Sequence, residues 1–225
     1  MPTLAAIDGG TYYHNRTLNE APFARYFDER IYVRDLPFAR LEDFDAVFVP
    51  CRLNAHLIAP LAPQLIAFWR GGGTLVAMGE TFQDGWLPDV RMTAVETNFW
   101  WWLEEGADLG VRLADREHDL FRYIDQGAAT WHLHGWFTLT ENQTSLIETR
   151  EGRCLLFEDR ESHAPGRLIA TTLDPCYHHG SHFMPATTRF LSGFLSWLKG
   201  HSPGGGEYLA DASDNRGDTR EARKM

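Results

Sequence analysis

The chain reads as an α/β fold built on a mainly parallel sheet, and three features predict this. Apolar runs with no polar interruption recur at Leu4-Ala5-Ala6-Ile7, Ala46-Val47-Phe48-Val49 and Leu75-Val76-Ala77-Met78, the pattern of strands covered on both faces. Between the second and third runs, Leu61, Leu65, Phe68 and Trp69 fall at helical spacing and Gly71 follows as a stop, so strand and helix alternate. The runs end at Asp8-Gly9-Gly10, Pro50-Cys51-Arg52 and Gly79-Glu80-Thr81. Right-handed crossovers would gather these loops on one edge of the sheet.

In chain order, the first run predicts a buried strand, and Thr11, Tyr12, Tyr13 and His14 line the loop after it. Pro22 suits a helix start, with Phe23, Tyr26 and Phe27 on one face. Ile31-Tyr32-Val33 fits a second strand, 44–49 a third that Pro50 stops, and 74–78 a fourth after the glycines at 71–73. The second half is less regular. Residues 97–103 are the most aromatic stretch, read as core, subunit contact or a flat ligand platform. Residues 117–124 suggest a short helix, and 130–140 alternate like a strand or hairpin arm. Segments 145–149 and 153–157 look like paired strands turning at Glu151-Gly152. Residues 166–173 form a further strand that runs into a loop, 174–182; Pro185 then opens a last helix burying Leu191, Phe194, Leu195 and Leu198. The expected domain is 1–199, with 200–225 a disordered polar tail rich in glycine and charge.

At 225 residues and 44% apolar content, one domain can bury a sizeable core. A net charge of −10 argues against nucleic acid or an anionic membrane as partner. The three cysteines, Cys51, Cys154 and Cys176, form no CxxC pair, which favours a reducing setting. With no leader-like N-terminus and no run of membrane-spanning length, the expected location is cytoplasmic.

Three constellations carry chemistry. At Gly79-Glu80-Thr81, a tight strand-to-helix turn exposes one side chain above a helix N-terminus that favours negative charge. Glu80 and Thr81 there either cap the next segment, or Glu80 serves as ligand hydrogen-bonder or general base. Asp174 precedes His178, His179 and His182. The spacing of His178 and His182 would share a helix face, although Gly180 suggests a loop, and Asp174 could complete a zinc set. Trp131-His132-Leu133-His134 places both histidines on one face if extended. Cys51 and Cys176 fall just past predicted strand ends and are reactive if a histidine lowers their pKa.

The order of these pieces resembles the class I glutamine amidotransferase-like superfamily, and within it the trehalose-utilisation (ThuA-like) branch. The resemblance runs over 4–199. It is carried by Gly10-Thr11-Tyr12-Tyr13-His14, by 45–49 with 68–78, by Glu117-His118-Asp119-Leu120, and by the strand 166–173 with helix 190–197. It implies a flavodoxin-like three-layer sandwich with a β-rich insertion in the second half, and a sugar-related role. Glutaminases of this class carry a cysteine at the elbow and a His-Pro-Glu-like run after a late strand; here stand Glu80 and Leu173-Asp174-Pro175-Cys176. Without nucleophile and histidine the covalent route is lost.

The resulting expectation is a pocket at the carboxyl ends of the strands for a small polar ligand, a carbohydrate in the first instance. Glu80, Asp174 and His178 are the candidate catalytic residues; Tyr13, His14, Arg52, Thr81, His179 and His182 the candidate ligand-binding ones. No metal or cofactor is required by this reading. A rival is a metal-dependent hydrolase using His132, His134, His178 and His182. A second rival is a non-catalytic scaffold that forms a homodimer through residues 99–103.

Overall fold

The computed structural model describes residues 1–96, 99–182 and 184–200, so the expected tail lies outside the described residues beyond Gly200. Five strands form the parallel centre: β1 (Leu4–Asp8), β2 (Glu29–Tyr32), β3 (Ala46–Val49), β4 (Thr74–Ala77) and, late in the chain, β10 (Arg167–Thr171). Their order, β2-β1-β3-β4-β10, is the flavodoxin-like one. The segment between β4 and β10 supplies β5 (Arg91–Ala94), β6 (Val111–Leu113), β7 (Gly135–Thr138), β8 (Gln143–Thr149) and β9 (Cys154–Asp159). These join the same sheet antiparallel, with β9 against β10, so the expected β-rich insertion extends the central sheet.

Side chains alternate across the central strands. Leu4 and Ala6 of β1, with Phe48 and Val76, face a cluster that includes Leu18 of α1 (Tyr12–Asn19) and Phe190, Leu191 and Phe194 of α5 (Pro185–Leu198). Ala5 and Ile7, with Val47, Leu75 and Ala77, face Ile58 of α2 (Ala55–Ile58) and Leu65 and Trp69 of α3 (Ala62–Arg70). Two faces of one sheet each covered by helices make the three-layer sandwich. Among the described residues, no helix is long and apolar enough to cross a membrane.

Three local expectations change. The helix expected after Pro22 is a single 3-10 turn, Ala24–Tyr26, and the first helix instead covers Tyr12–Asn19, where Thr11 caps it by accepting from the His14 N–H. The expected loop after β10 contains α4 (Pro175–Gly180), which lies against α1 with Gly180 tight on Tyr13. Only 135–138 of the expected 130–140 arm is strand.

Gly79, just past β4, ties three strand ends together. Its N–H donates to Leu173 O (2.8 Å) and its carbonyl accepts from the Arg52 N–H (2.9 Å). A Cβ here would lie 2.4 Å from the carbonyl oxygens of Leu173 and Thr172. Gln83, fully buried, braces the same junction by donating to Met78 O and Thr171 O, both at 2.8 Å. Gly79→Ala is therefore expected to lower stability by about 1–3 kcal/mol through overpacking against rigid backbone. A urea midpoint unchanged from wild type would contradict this.

Candidate functional site

The loops beyond β1, β3, β4 and β10 meet at one edge. Arg52 Nε lies 2.5 Å from Glu80 Oε2 and 3.0 Å from Asp174 Oδ2, and Arg52 Nη2 is also 3.0 Å from Asp174 Oδ2. The guanidinium stacks 3.6 Å above the Tyr177 ring, a cation–π contact that fixes its plane. Tyr13 packs edge-on against Tyr177 and donates from its hydroxyl to Arg52 O at 3.3 Å. Tyr13, Glu80 and Asp174, distant in sequence, thus border one site.

Backbone strain marks the same place. Arg52, Glu80 and Phe82 have φ of 57°, 55° and 52°, left-handed values that non-glycine residues adopt at a cost and that cluster at functional sites. Glu80 occupies a sharp elbow as the sequence suggests. However, the elbow leads to a 3-10 turn, Gln83–Gly85, rather than to the helix expected there, so the helix-dipole argument does not apply.

Below Arg52 and Glu80, three histidines surround Asp174. Asp174 is fully buried. Its Oδ1 lies 3.3 Å from His134 Nε2, 3.3 Å from His178 Nε2 and 3.8 Å from His132 Nε2. His132 Nε2 and His178 Nε2 are 2.9 Å apart, and His134 Nδ1 is 3.1 Å from Glu80 Oε1. His178 reaches Asp174 because α4 sets residues four apart on one face. His132 and His134 precede β7, yet their rings stand edge to face with centroids 4.9 Å apart. Phe99, 43% exposed, stands edge-on to His132 at the mouth of the site. Burial pushes the Asp174 carboxyl up, but His134 and His178 beside it hold it well below the usual carboxylate range. Burial lowers His132 to about 3, the nearby Asp174 carboxylate only partly opposing it.

The other candidates sit elsewhere in the design. His14 is buried: it accepts from the Gly9 N–H at Nδ1 (3.1 Å) and donates from Nε2 to Cys51 O (2.8 Å). It joins two loops and presents no free nitrogen. Thr81 is buried and donates to Met78 O at 3.1 Å. His179 bonds Thr188 through Nδ1 (2.9 Å) and packs on Phe23, while His182 is exposed past the end of α4. Both line a separate groove of about 260 Å³ with Arg16 and Arg189. His118 bonds Glu158 of β9 at 3.2 Å and packs on Trp197, a structural pairing. Cys51 is buried and its thiol is pushed well up by burial and by Cys176, the reverse of a reactive thiol. In the sequence, His132 and His134 stand as one face of a strand, a polar patch or half of a metal set, and enter the site only in the metal-dependent rival; their signal is one residue type repeated two positions apart. Gln83 carries none.

The fold and this edge define a flavodoxin-like α/β domain whose elbow holds a carboxylate. No family model and no curated protein matches the sequence. Solved structures do match in shape. A glutamine amidotransferase from Thermotoga maritima superposes with a TM-score of 0.56 at 9% identity, covering 88% of this chain and 96% of that one. A ThuA-like protein from Bacteroides uniformis gives 0.50 at 10% identity, with 87% and 90% covered. A protein assigned as a GMP synthase subunit, from Thermoplasma acidophilum, gives 0.50 at 11%, with 88% and 97% covered. The class I glutamine amidotransferase-like fold, with a ThuA-like protein among its matches, is therefore the fold of this chain.

Stability follows acid in a defined sense. The unfolded chain protonates His132 near its usual 6.5, whereas the folded protein resists until about 3. This contribution is complete above about pH 6.5 and declines as pH falls towards 3, at up to about 1.4 kcal/mol per pH unit. Urea titrations between pH 4.5 and 6 in EDTA should show a shallower slope for His132→Gln than for wild type; equal slopes would contradict the assignment.

Proposed function

We propose that the protein binds a small polar ligand at the carboxyl edge of its parallel strands, and that it is not a glutaminase. The observation that carries this is the meeting of Arg52, Glu80 and Asp174 at that edge, with Arg52 and Glu80 in strained conformations and 25% and 29% exposed. Open α/β sheets bind ligands outside the carboxyl ends of their strands, and Arg52, Glu80 and Asp174 follow β3, β4 and β10 there. Glu80 at the elbow cannot replace a thiolate nucleophile, and Cys51 and Cys176 are fully buried. A carbohydrate is the ligand class that the ThuA-like resemblance suggests. The exposed aromatic rings of Phe82, Phe99 and Trp100 support it, because a sugar ring can lie on such faces. The three cysteines are free and buried, which supports a reducing compartment such as the cytoplasm.

Thermal-shift measurements across sugars and sugar acids test the reading. A ligand at a hundred times its Kd adds about 2.7 kcal/mol of stability. The expected result is an upward shift with at least one compound, removed in Glu80→Ala and in Arg52→Ala. A shift that persists in both variants places binding elsewhere.

A further inference from the structure

We infer that His132, His134, His178 and Asp174 hold one divalent transition-metal ion, and that Glu80 positions His134 to ligate it. The inference rests on the ligand-site reading above and deepens it, since the ion would form the floor of that pocket. It departs from the expectation that no metal is needed, and it replaces His182 of the rival hydrolase set with Asp174.

Each of the four residues offers one donor atom, and all four atoms lie within 4.8 Å of one another, all buried. A tetrahedral ion with bonds near 2.0–2.1 Å has ligand–ligand edges of about 3.3–3.4 Å. Four of the six edges are 2.9, 3.3, 3.3 and 3.8 Å, and none exceeds 4.8 Å. Four edges therefore bracket the ideal, and a small inward shift of the imidazoles would complete a coordination shell.

Hydrogen bonding points the same way independently. Oδ2 of Asp174 takes both Arg52 contacts, while Oδ1, inside the cluster, makes no hydrogen bond of its own. His134 Nδ1 faces Glu80 Oε1 at 3.1 Å. A carboxylate can only accept, so a donation to Glu80 requires the Nδ1–H tautomer of His134. In that tautomer the lone pair sits on Nε2, 3.3 Å from Asp174 Oδ1. A lone pair facing a carboxylate oxygen is repulsive unless a cation lies between them. The Nε2 atoms of His132 and His178 are 2.9 Å apart, a hydrogen bond when one of them carries a proton, and an ion between them would take that proton's place. Charge agrees: Glu80 and Asp174 supply two carboxylates against the single guanidinium of Arg52.

The chemistry of the donors selects the ion. Three imidazoles and one carboxylate, with no thiolate, suit zinc, iron, cobalt or nickel and not the all-oxygen shells of calcium or magnesium. Glu80 then plays the part of the carboxylate that orients a ligating histidine and raises its basicity. It is a positioning residue, one bond removed from the ion.

The competing state is a cluster with no ion, held by hydrogen bonds between the imidazoles and Asp174. Chelator-treated full-length protein titrated with zinc chloride by calorimetry separates the two, with cobalt(II) absorption as a second readout. The expected result is one equivalent bound, a raised melting temperature and ligand-field bands of a nitrogen-coordinated cobalt ion. His132→Ala and His178→Ala should each weaken binding more than 100-fold, and His56→Ala, at an exposed position, should not. Glu80→Ala should weaken it about 10- to 100-fold, with Glu80→Gln recovering part because its amide oxygen still accepts from His134. Circular dichroism in EDTA confirms that each variant is folded. Binding below a tenth of an equivalent by wild type, or full loading of a folded His132→Ala/His178→Ala double variant, overturns the inference. A sugar-induced shift that survives in EDTA without zinc binding would sink the metal alone; zinc binding with no shift from any compound would sink the ligand reading alone.

Discussion

One backbone unit sets the site. The Gly79 carbonyl accepts from Arg52 and its N–H donates to Leu173, so three separate loops are locked to within a peptide of one another. Arg52 is itself one partner, Glu80 is the next residue after Gly79, and Asp174 is the next after Leu173. The three charged side chains meet because their backbones already do. Only glycine permits the approach, since any Cβ would strike two carbonyl oxygens. Gln83 then fills the space beneath, donating to the carbonyls of Met78, just past β4, and Thr171 of β10. The preorganisation is thus in the backbone, and the side chains inherit it.

What stands on that frame is an elbow with altered chemistry. A left-handed residue after a central strand projects its side chain above the sheet edge, the arrangement that presents a nucleophile in hydrolases. Here the projecting group is a carboxylate already engaged on two sides, by Arg52 and by His134. Such a group does not attack; it holds. Arg52 in turn bridges Glu80 and the fully buried Asp174. Removing one partner would leave the others charged in a poorly solvated place, which commonly costs more than the pair itself contributes. The cluster therefore resists piecemeal change, and its members act as one unit.

The parallel half of the fold was legible in the sequence because strands covered on both faces must be apolar throughout, and Leu4–Ile7 or Leu75–Met78 contain nothing else. The short helices were not. Tyr12–Asn19 is mostly polar, buries only His14, Thr17 and Leu18, and carries no apolar stripe to announce itself. Helix Pro175–Gly180 contains a proline and a glycine, both of which usually signal a break, and is stable because Gly180 fits against Tyr13. The antiparallel strands were partly legible: the Glu151-Gly152 turn fixed one hairpin, whereas Arg91–Ala94 is largely exposed and Val111–Leu113 only three residues long. For the site, loops at strand ends marked Arg52, Glu80 and Asp174. Nothing local could show that His132 and His134 lie beside them, because that contact depends on where the antiparallel extension docks.

The histidine-rich run after β10 shows how proximity in sequence misleads. On a helix, successive residues point about 100° apart, so His178 and His179 cannot serve one site. His178, four residues after Asp174, turns towards the sheet edge and meets its carboxylate. His179 turns instead to Phe23 and Thr188, and His182 follows past the helix end into the same outer groove as Arg16 and Arg189. Helix α4 is therefore a partition with an inner face that completes the buried cluster and an outer face that borders a basic groove. The ring of His178 lines both spaces.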